Sequence, residues 1–266
     1  MAELVRIDRL LLDRGLVPSR TRAQALIGEG VVSVGGQTVK KPSEKFPDDA
    51  DIMLSDSDLL RYVGRGAYKL GAALDAFGVD PRGMTAVDIG ASTGGFTQRL
   101  LEGGARHVYA VDSGHGQLAP SLLSDPRVTS IEGFNARGLT AAALTEECDL
   151  AVMDVSFISQ RLLYEAVSKT LTADGVFISL IKPQFEVGRS AIGRGGIVRD
   201  KDAHVRAVSE LFGSAAENGF MPQGLIMSPI KGGDGNTEYL ACFRRCAEGA
   251  AFVPDLKMIK EVVYEA

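Results

Sequence analysis

Four ionisable residues stand in short polar runs spread along this 266-residue chain: Lys69 in RGAYKL, Asp154 in DVSF, Lys182 in KPQFE and Glu238 in GNTEYL. Two ammonium groups and two carboxylates in one cavity can take the proton from a hydroxyl, which is a poor nucleophile until that proton is removed. A lone lysine, with an ordinary pKa of about 10.4, is a weak base at neutral pH. A second ammonium beside it lowers that value and also stabilises the alkoxide as it forms, while the carboxylates orient the lysines and keep the cluster near neutrality. Taken singly, each of the four is better explained as a surface or structural ion pair, and only their joint placement points to chemistry.

That placement depends on the elements that carry them. From Lys69 onward, strand-like and helix-like segments alternate, the pattern of an α/β domain around a mostly parallel sheet. Strands are predicted at 85–90, 107–112, 128–132, 149–155, 175–181, 220–227 and 237–243, with helices at 97–101, 161–171 and 203–218. The last two strands leave no room for a crossover helix, so one of them runs antiparallel to its neighbour. Open α/β sheets bind ligands beyond the carboxyl ends of their strands. Asp154 ends the fourth strand and Lys182 the fifth. Glu238 opens the reversed last strand and so reaches the same edge, and Lys69 lies on a helix or its cap ahead of the first strand.

A second constellation occupies that edge. VDIGASTGGF closes the first strand with Asp88 and continues into a loop of small residues, Gly90, Ala91, Ser92, Thr93, Gly94 and Gly95, where a ligand can approach the backbone closely. Asp112 closes the second strand 24 residues after Asp88, where doubly wound folds place a carboxylate on a ribose diol. The loop lacks the Gly-x-Gly-x-x-Gly spacing of a nicotinamide-binding turn, which makes that the weaker reading. The segment Asp154-Val155-Ser156-Phe157 has no prolines, unlike the Asn/Asp-Pro-Pro-aromatic run of amino-group methylases, and no cysteine for covalent attack on a pyrimidine, since Cys148 lies ahead of the strand.

The first 45 residues are different in kind. They hold eight Lys/Arg and five Asp/Glu, a net of +3, against −8 for the remaining 221. Ile7, Leu10 and Leu11 form a helical stripe stopped by Gly15, and Ser19 is a plausible N-cap for a second helix with Ala23, Leu26 and Ile27 on its apolar face. Residues 31–34 and 37–39 read as a hairpin turned by Gly35-Gly36. Arg20 and Arg22 fall in the first turn of the second helix, where the helix dipole disfavours cations, so a phosphate docked there would account for them; on composition alone a solvated charged face is the favoured alternative. The acidic stretch 46–57 is taken as the end of this module, and 58–66 as a connector.

Composition sets the remaining bounds. No stretch of about 20 apolar residues exists; the longest run free of Asp, Glu, Lys and Arg is thirteen residues, Asn218 to Ile230. Glu3, Arg6, Asp8 and Arg9 preclude the uncharged core of a signal peptide, so the cytoplasm is the expected location. Cys148, Cys242 and Cys246 fit neither a disulfide framework nor a spaced metal site, and no metal is expected.

The basic run RIDRLLLDRGLVPSRTRAQALIGEGVVSVGGQTVKKPSEKF resembles the S4-like RNA-binding domain, which implies contact with structured RNA through phosphate and shape. The glycine loop, the paired strand-end carboxylates and the closing hairpin resemble class I S-adenosylmethionine-dependent methyltransferases, an α/β Rossmann-like fold with a reversed last strand. The order Lys69, Asp154, Lys182, Glu238 is similar to the tetrad of FtsJ-like ribose methyltransferases. Joined to an S4-like module, with GASTGGFT, FNARGLT, DVSFIS, KPQFEVG and GNTEYL along the chain, the whole resembles the TlyA family. That resemblance implies 2′-O-methylation of cytidine in ribosomal RNA. It assigns Lys182 as general base with Lys69, Asp154 and Glu238 around it, and Asp88, Gly90–Gly95, Asp112 and Asn135 to S-adenosylmethionine. The RNA contacts it suggests are Arg6, Arg9, Arg14, Arg20, Arg22, Lys40, Lys41, Arg65 and Arg189. The domains expected are 1–60, S4-like with an acidic connector, and 61–266, the methyltransferase. Relatives also described as haemolysins raise a membrane-active alternative, to which an amphipathic segment at Leu256–Tyr264 could contribute. A non-catalytic RNA-binding assembly factor is the third reading.

Overall fold

Ile7, Leu10 and Leu11, the predicted stripe, are fully buried in the computed structural model, which describes residues 4–17, 19–28, 30–55, 61–246 and 254–265. The chain divides into two units, Met1–Tyr62 and Val63–Ala266. In the first, β1 (Leu4–Arg6) leads into α1 (Ile7–Asp13), and α2 (Arg20–Gly28) follows, its start capped by Ser19 Oγ, which accepts the Arg22 N–H at 3.2 Å. β2 (Val32–Val34) and β3 (Gln37–Thr38) form the predicted hairpin, and the positive φ of Gly35 and Gly36, 55° and 77°, supplies its two-residue turn.

The acidic stretch does not end this module. It supplies β4 (Lys45–Pro47), paired with β1, and β5 (Ile52–Leu54), paired with β2. Aspartates at strand ends and turns hid two three-residue strands whose pairing is entirely non-local. Residues 58–60 of the expected connector lie outside the described residues, and its end, Gly66, begins the first helix of the second unit.

That unit runs α3 (Gly66–Phe77), β6 (Thr85–Ile89), α4 (Gly95–Glu102), β7 (His107–Val111), α5 (Pro120–Leu123), β8 (Val128–Ile131), α6 (Ala141–Leu144), β9 (Cys148–Met153), α7 (Tyr164–Ser168), β10 (Leu171–Ile181), α8 (Pro183–Glu186), α9 (Lys201–Glu217), β11 (Phe220–Met227), β12 (Tyr239–Arg245) and α10 (Leu256–Tyr264). The seven strands form one sheet in the order β11-β12-β10-β9-β6-β7-β8, and β12 alone runs against the others. The α/β class and the reversed last strand are as the sequence led one to expect. Side-chain alternation divides the core between two faces. Val87, Ile89, Tyr109, Val111, Ala151 and Phe177 share one buried cluster with residues of α9 and α10, whereas Ala86, Val108, Leu150, Val152 and Ile178 share the other with residues of α3 and α4.

Two predictions need correction here. The helix expected over 161–171 is a short 3-10 turn, Gln160–Leu162, followed by α7, because Leu171 already pairs with Cys148 as the start of a long, bulged β10. The amphipathic segment at the C-terminus packs inward: Ile259 and Val263 of α10 are fully buried in the core. Among the described residues, no helix is long and apolar enough to cross a membrane.

Candidate active site

β6 lies between β7 and β9, so successive strands depart from it in opposite directions and leave a crevice at its carboxyl end. The register places the expected residues there. Ile89 pairs with Met153, and Gly90 and Asp154 are the next residue on each strand. Ile181 pairs with Tyr239, and continuing that antiparallel ladder by one step sets Lys182 opposite Glu238. Each of these residues stands one position beyond the last rung of its ladder.

The tetrad divides into two ion pairs. Lys69, one turn into α3, places Nζ 2.6 Å from Glu238 Oε2, with side chains only 8% and 3% exposed. Lys182 Nζ lies 2.5 Å from Asp154 Oδ1 and 2.8 Å from Ser156 Oγ, and this pair is more open, 12% and 22% exposed. Lys182, Asp154 and Ser156 line a cavity of about 210 Å³ together with Gly64, Arg65, Gly66 and the loop from Gly90 to Gly95. The buried pair is a fixed support; the open pair faces the cavity.

A second cavity, about 310 Å³, shares Gly90, Ser92, Asp154 and Ser156 with the first and continues past Asp112, Phe134 and Asn135. Its floor is made of backbone that side chains could not replace. Gly90 has φ +84, and a Cβ there would sit 2.4 Å from the Asp154 carbonyl oxygen. Asp112 accepts the N–H of Ser92 at 2.8 Å and that of Gly114 at 2.7 Å, while Glu132 accepts the N–H groups of Gly116 and Gln117 and is held below the usual carboxylate range by them. Asn135 lines the same cavity and caps a 3-10 turn by accepting the Arg137 N–H.

Asp88 is the exception. Strand alternation turns it under α4, where Oδ2 accepts from Thr97 N and Oγ1 at 2.9 and 2.7 Å, and it lines neither cavity. Burial raises its pKa to about 7, opposed by the Thr97 bonds, and Oδ1 has no partner. An orphaned carboxylate oxygen beneath a glycine cradle suits a cationic ligand above it. The donor and acceptor set around the two cavities therefore fits a nucleoside carrying a sulfonium.

Sequence reasoning missed the loop that holds Lys182 in place. Ser159 Oγ and Gln160 N donate to the buried Glu186 carboxylate at 2.6 and 2.9 Å, which ties the segment after β9 to α8; burial pushes that carboxyl up. The loop presents Phe157, 91% exposed with φ +63, its ring 5.1 Å from that of Phe185. A bulky residue in the left-handed region and in water is strained without a packing reward. The DVSF run signalled a strand end, but no sequence feature distinguishes an aromatic left outside from one buried.

The cations assigned to RNA fall into two groups. Arg6 and Arg20 both hold Asp8, at 3.0 and 2.8 Å, with Gln24 as a third donor; Arg9 pairs with Asp13, Arg14 donates to the carbonyls of Ala50 and Asp48, and Arg22 donates to the carbonyl of Tyr62. Arg20 and Arg22 at the start of α2 thus already have internal partners, which offset the helix dipole in the absence of a phosphate. The fully buried Asp8 is held well below the usual carboxylate range by the Arg6 guanidinium first and by Arg20 and Gln24 after it. Lys40, Lys41, Arg65 and Arg189 are exposed, and their side chains have no ion-pair partner among the described residues.

An FtsJ-like methyltransferase family model matches residues 62–245, and an S4 domain model matches residues 5–52. The 16S/23S rRNA (cytidine-2'-O)-methyltransferase TlyA of Mycobacterium tuberculosis is 41% identical over 266 residues, covering 100% of this chain and 98% of the relative. Hemolysin A of Brachyspira hyodysenteriae is 39% identical over 90% of this chain and 99% of its own length. A solved Streptococcus thermophilus structure described as a hemolysin superposes with a TM-score of 0.78 at 40% identity, covering 100% of this chain and 96% of that one.

Proposed function

The chain belongs to the TlyA family of FtsJ-like methyltransferases, and from that premise we propose that it methylates the 2′-hydroxyl of cytidine in ribosomal RNA, with S-adenosylmethionine as donor. The observation that carries this reading is the open Lys182–Asp154 pair at the mouth of the cavity formed by the glycine loop. A lysine amine there can accept the proton of a ribose hydroxyl, and Asp154 and Ser156 fix its position. The Lys69–Glu238 pair, whose carboxylate falls opposite Lys182 across the β10–β12 register, is buried and balanced in charge and would support Lys182 from behind.

The cofactor, when bound, supplies a methyl group on a positively charged sulfur. Residues Asp112 and Asn135 would hold its nucleoside part, and the loop from Gly90 to Gly95 would pass beneath the rest; the orphaned Asp88 oxygen provides negative charge below it. The chain's contribution is then to bind, to exclude water from the crevice and to move one proton to Lys182 Nζ. The S4-like unit supplies the sequence-independent hold on structured RNA that A-form grooves require.

The deciding experiment is transfer of tritiated methyl to ribosomal subunits from a strain lacking this protein, followed by mapping of the labelled nucleotide. Label at a cytidine 2′-oxygen is the expected result. Label on a base, or none with either subunit, would defeat the reading.

A further inference from the structure

Two glycine-rich loops at the catalytic edge of the second unit carry cations that have no ion-pair partner among the described residues. The first follows α8 and bears Arg194 and Arg199; the second joins β11 to β12 and bears Lys231. All three are exposed, and none has an ion-pair partner among the described residues; exposed Arg82, Arg106, Arg127 and Lys169 of the same unit are paired with Asp80, Glu146, Asp125 and Glu165, while exposed Arg137 and Arg244 are not. Two carboxylates stand in or beside these loops, Asp234 within the second and Asp200 next to Arg199.

These loops are built rather than loose. Asn236, 1% exposed, accepts the Val198 N–H at 3.1 Å and donates to the Gly196 carbonyl at 3.0 Å. The Val198 carbonyl lies 3.0 Å from His204 Nε2, whose other nitrogen is 2.8 Å from the Tyr239 hydroxyl. Both backbone groups of one loop residue are thus gripped by buried side chains from two other segments. The second loop also borders the tetrad: a Cβ on Gly232 would sit 2.6 Å from Glu238 Oε1, and one on Gly233 would lie 3.7 Å from an Arg65 guanidinium nitrogen. Arg65 in turn lines the cavity that holds Lys182.

We propose that these two loops, stapled by Asn236 and His204, form a rim that binds the RNA backbone on either side of the modified nucleotide, with Arg194, Arg199 and Lys231 taking phosphates. Unpaired guanidinium groups match phosphate geometry, and holding the loops in place beforehand removes the ordering cost of binding. Cations left without an ion-pair partner on held loops are available to a polyanion. The proposal rests on the RNA-methylation reading and extends it to the surface that presents the substrate; Asn236 and His204 are positioning residues and touch no reacting atom.

The test uses the full-length Arg194→Glu/Arg199→Glu variant, with ribosomal RNA methylation, RNA binding at several salt concentrations and S-adenosylmethionine affinity measured side by side. The expected result is a KM for RNA raised about tenfold or more with kcat falling far less, and a log K against log salt slope shallower by about 1 to 2, while cofactor affinity is retained. Asn236→Ala, with every cation intact, should raise KM in the same direction, and Asn236→Asp, which keeps the acceptor for Val198, should recover part of the loss. A double variant that methylates with unchanged KM and salt slope overturns the rim. So does loss of binding to anionic phospholipid vesicles with RNA affinity intact, which would reassign the surface to membrane. If the unaltered protein fails to methylate RNA, it is the underlying functional reading that fails, and that is seen before any variant is compared.

Discussion

Truncating Lys182 removes the one amine that opens on the cavity and leaves Asp154 and Ser156 facing it, so Lys182→Ala should abolish methyl transfer while S-adenosylmethionine binding, measured by calorimetry, survives. Lys182→Arg keeps the charge but cannot accept a proton, and should be nearly as inactive. Asp88 makes a different prediction. A carboxyl whose folded value, about 7, exceeds its ordinary 3.8 stays protonated in the fold while the unfolded chain ionises, so its penalty is absent below about pH 4, grows as pH rises from there to 7 and levels off above it. Thermal unfolding of cofactor-free protein at pH 5.5 and pH 8 should therefore show wild type losing about 1 kcal/mol or more of stability relative to Asp88→Asn across that interval. Phe157 opposes stability to function. Phe157→Gly relieves a left-handed φ and should raise stability by up to about 1 kcal/mol, yet removes the exposed ring best placed to stack on an unpaired base, which should lower kcat/KM for RNA about tenfold. Of these residues, Lys182 and Asp88 were legible in the sequence because their positions at strand ends follow from hydrophobic alternation. Which way each side chain faces was not, since that depends on the neighbouring strand.

Elements explain where the reading succeeded and failed. All seven strands of the sheet were found from apolar runs bounded by Gly and Asp; central strands buried on both faces leave an uninterrupted apolar signature, and the half-exposed edge strands β8 and β11 a shorter or interrupted one. The three-residue strands β4 and β5 carry no such signature, and the start of β10 was read as helix because Leu171 is apolar in either. Arg20 and Arg22 were correctly placed at a helix start, but Asp8, the carboxylate that explains Arg20, is two turns away on another helix and invisible to local reasoning. At this scale the sharpest test is Gly90→Ala. The added methyl must enter the space of a strand carbonyl, not of a flexible side chain, and φ +84 is unfavourable to it. The substitution should cost about 2 to 4 kcal/mol in unfolding free energy and abolish cofactor binding together with activity.

The two units of the whole molecule share charge differently from the first 45 residues and the rest. Counted to Tyr62, where the first unit ends, it holds nine Lys/Arg and ten Asp/Glu, a net of −1, so its affinity for RNA must come from how cations are distributed on its surface rather than from a net excess. Lys40 and Lys41 are the cleanest probes: they are exposed and their ammonium groups have no ion-pair partner among the described residues, unlike Arg20, whose reversal would set a carboxylate against Asp8. Lys40→Glu/Lys41→Glu should weaken RNA binding with a shallower salt slope, while S-adenosylmethionine affinity measured on the same protein stays at the wild-type value. The ladder between β10 and β12 has one more consequence. Because Tyr239 pairs with Ile181, the ladder itself delivers Glu238 opposite Lys182, and the chain between Met227 and Thr237 bears on that placement where it touches it, as at Gly232. An insertion at the outer turn of that hairpin should therefore alter which molecules are admitted while the reacting groups stay in register, so long as Gly232 stays small.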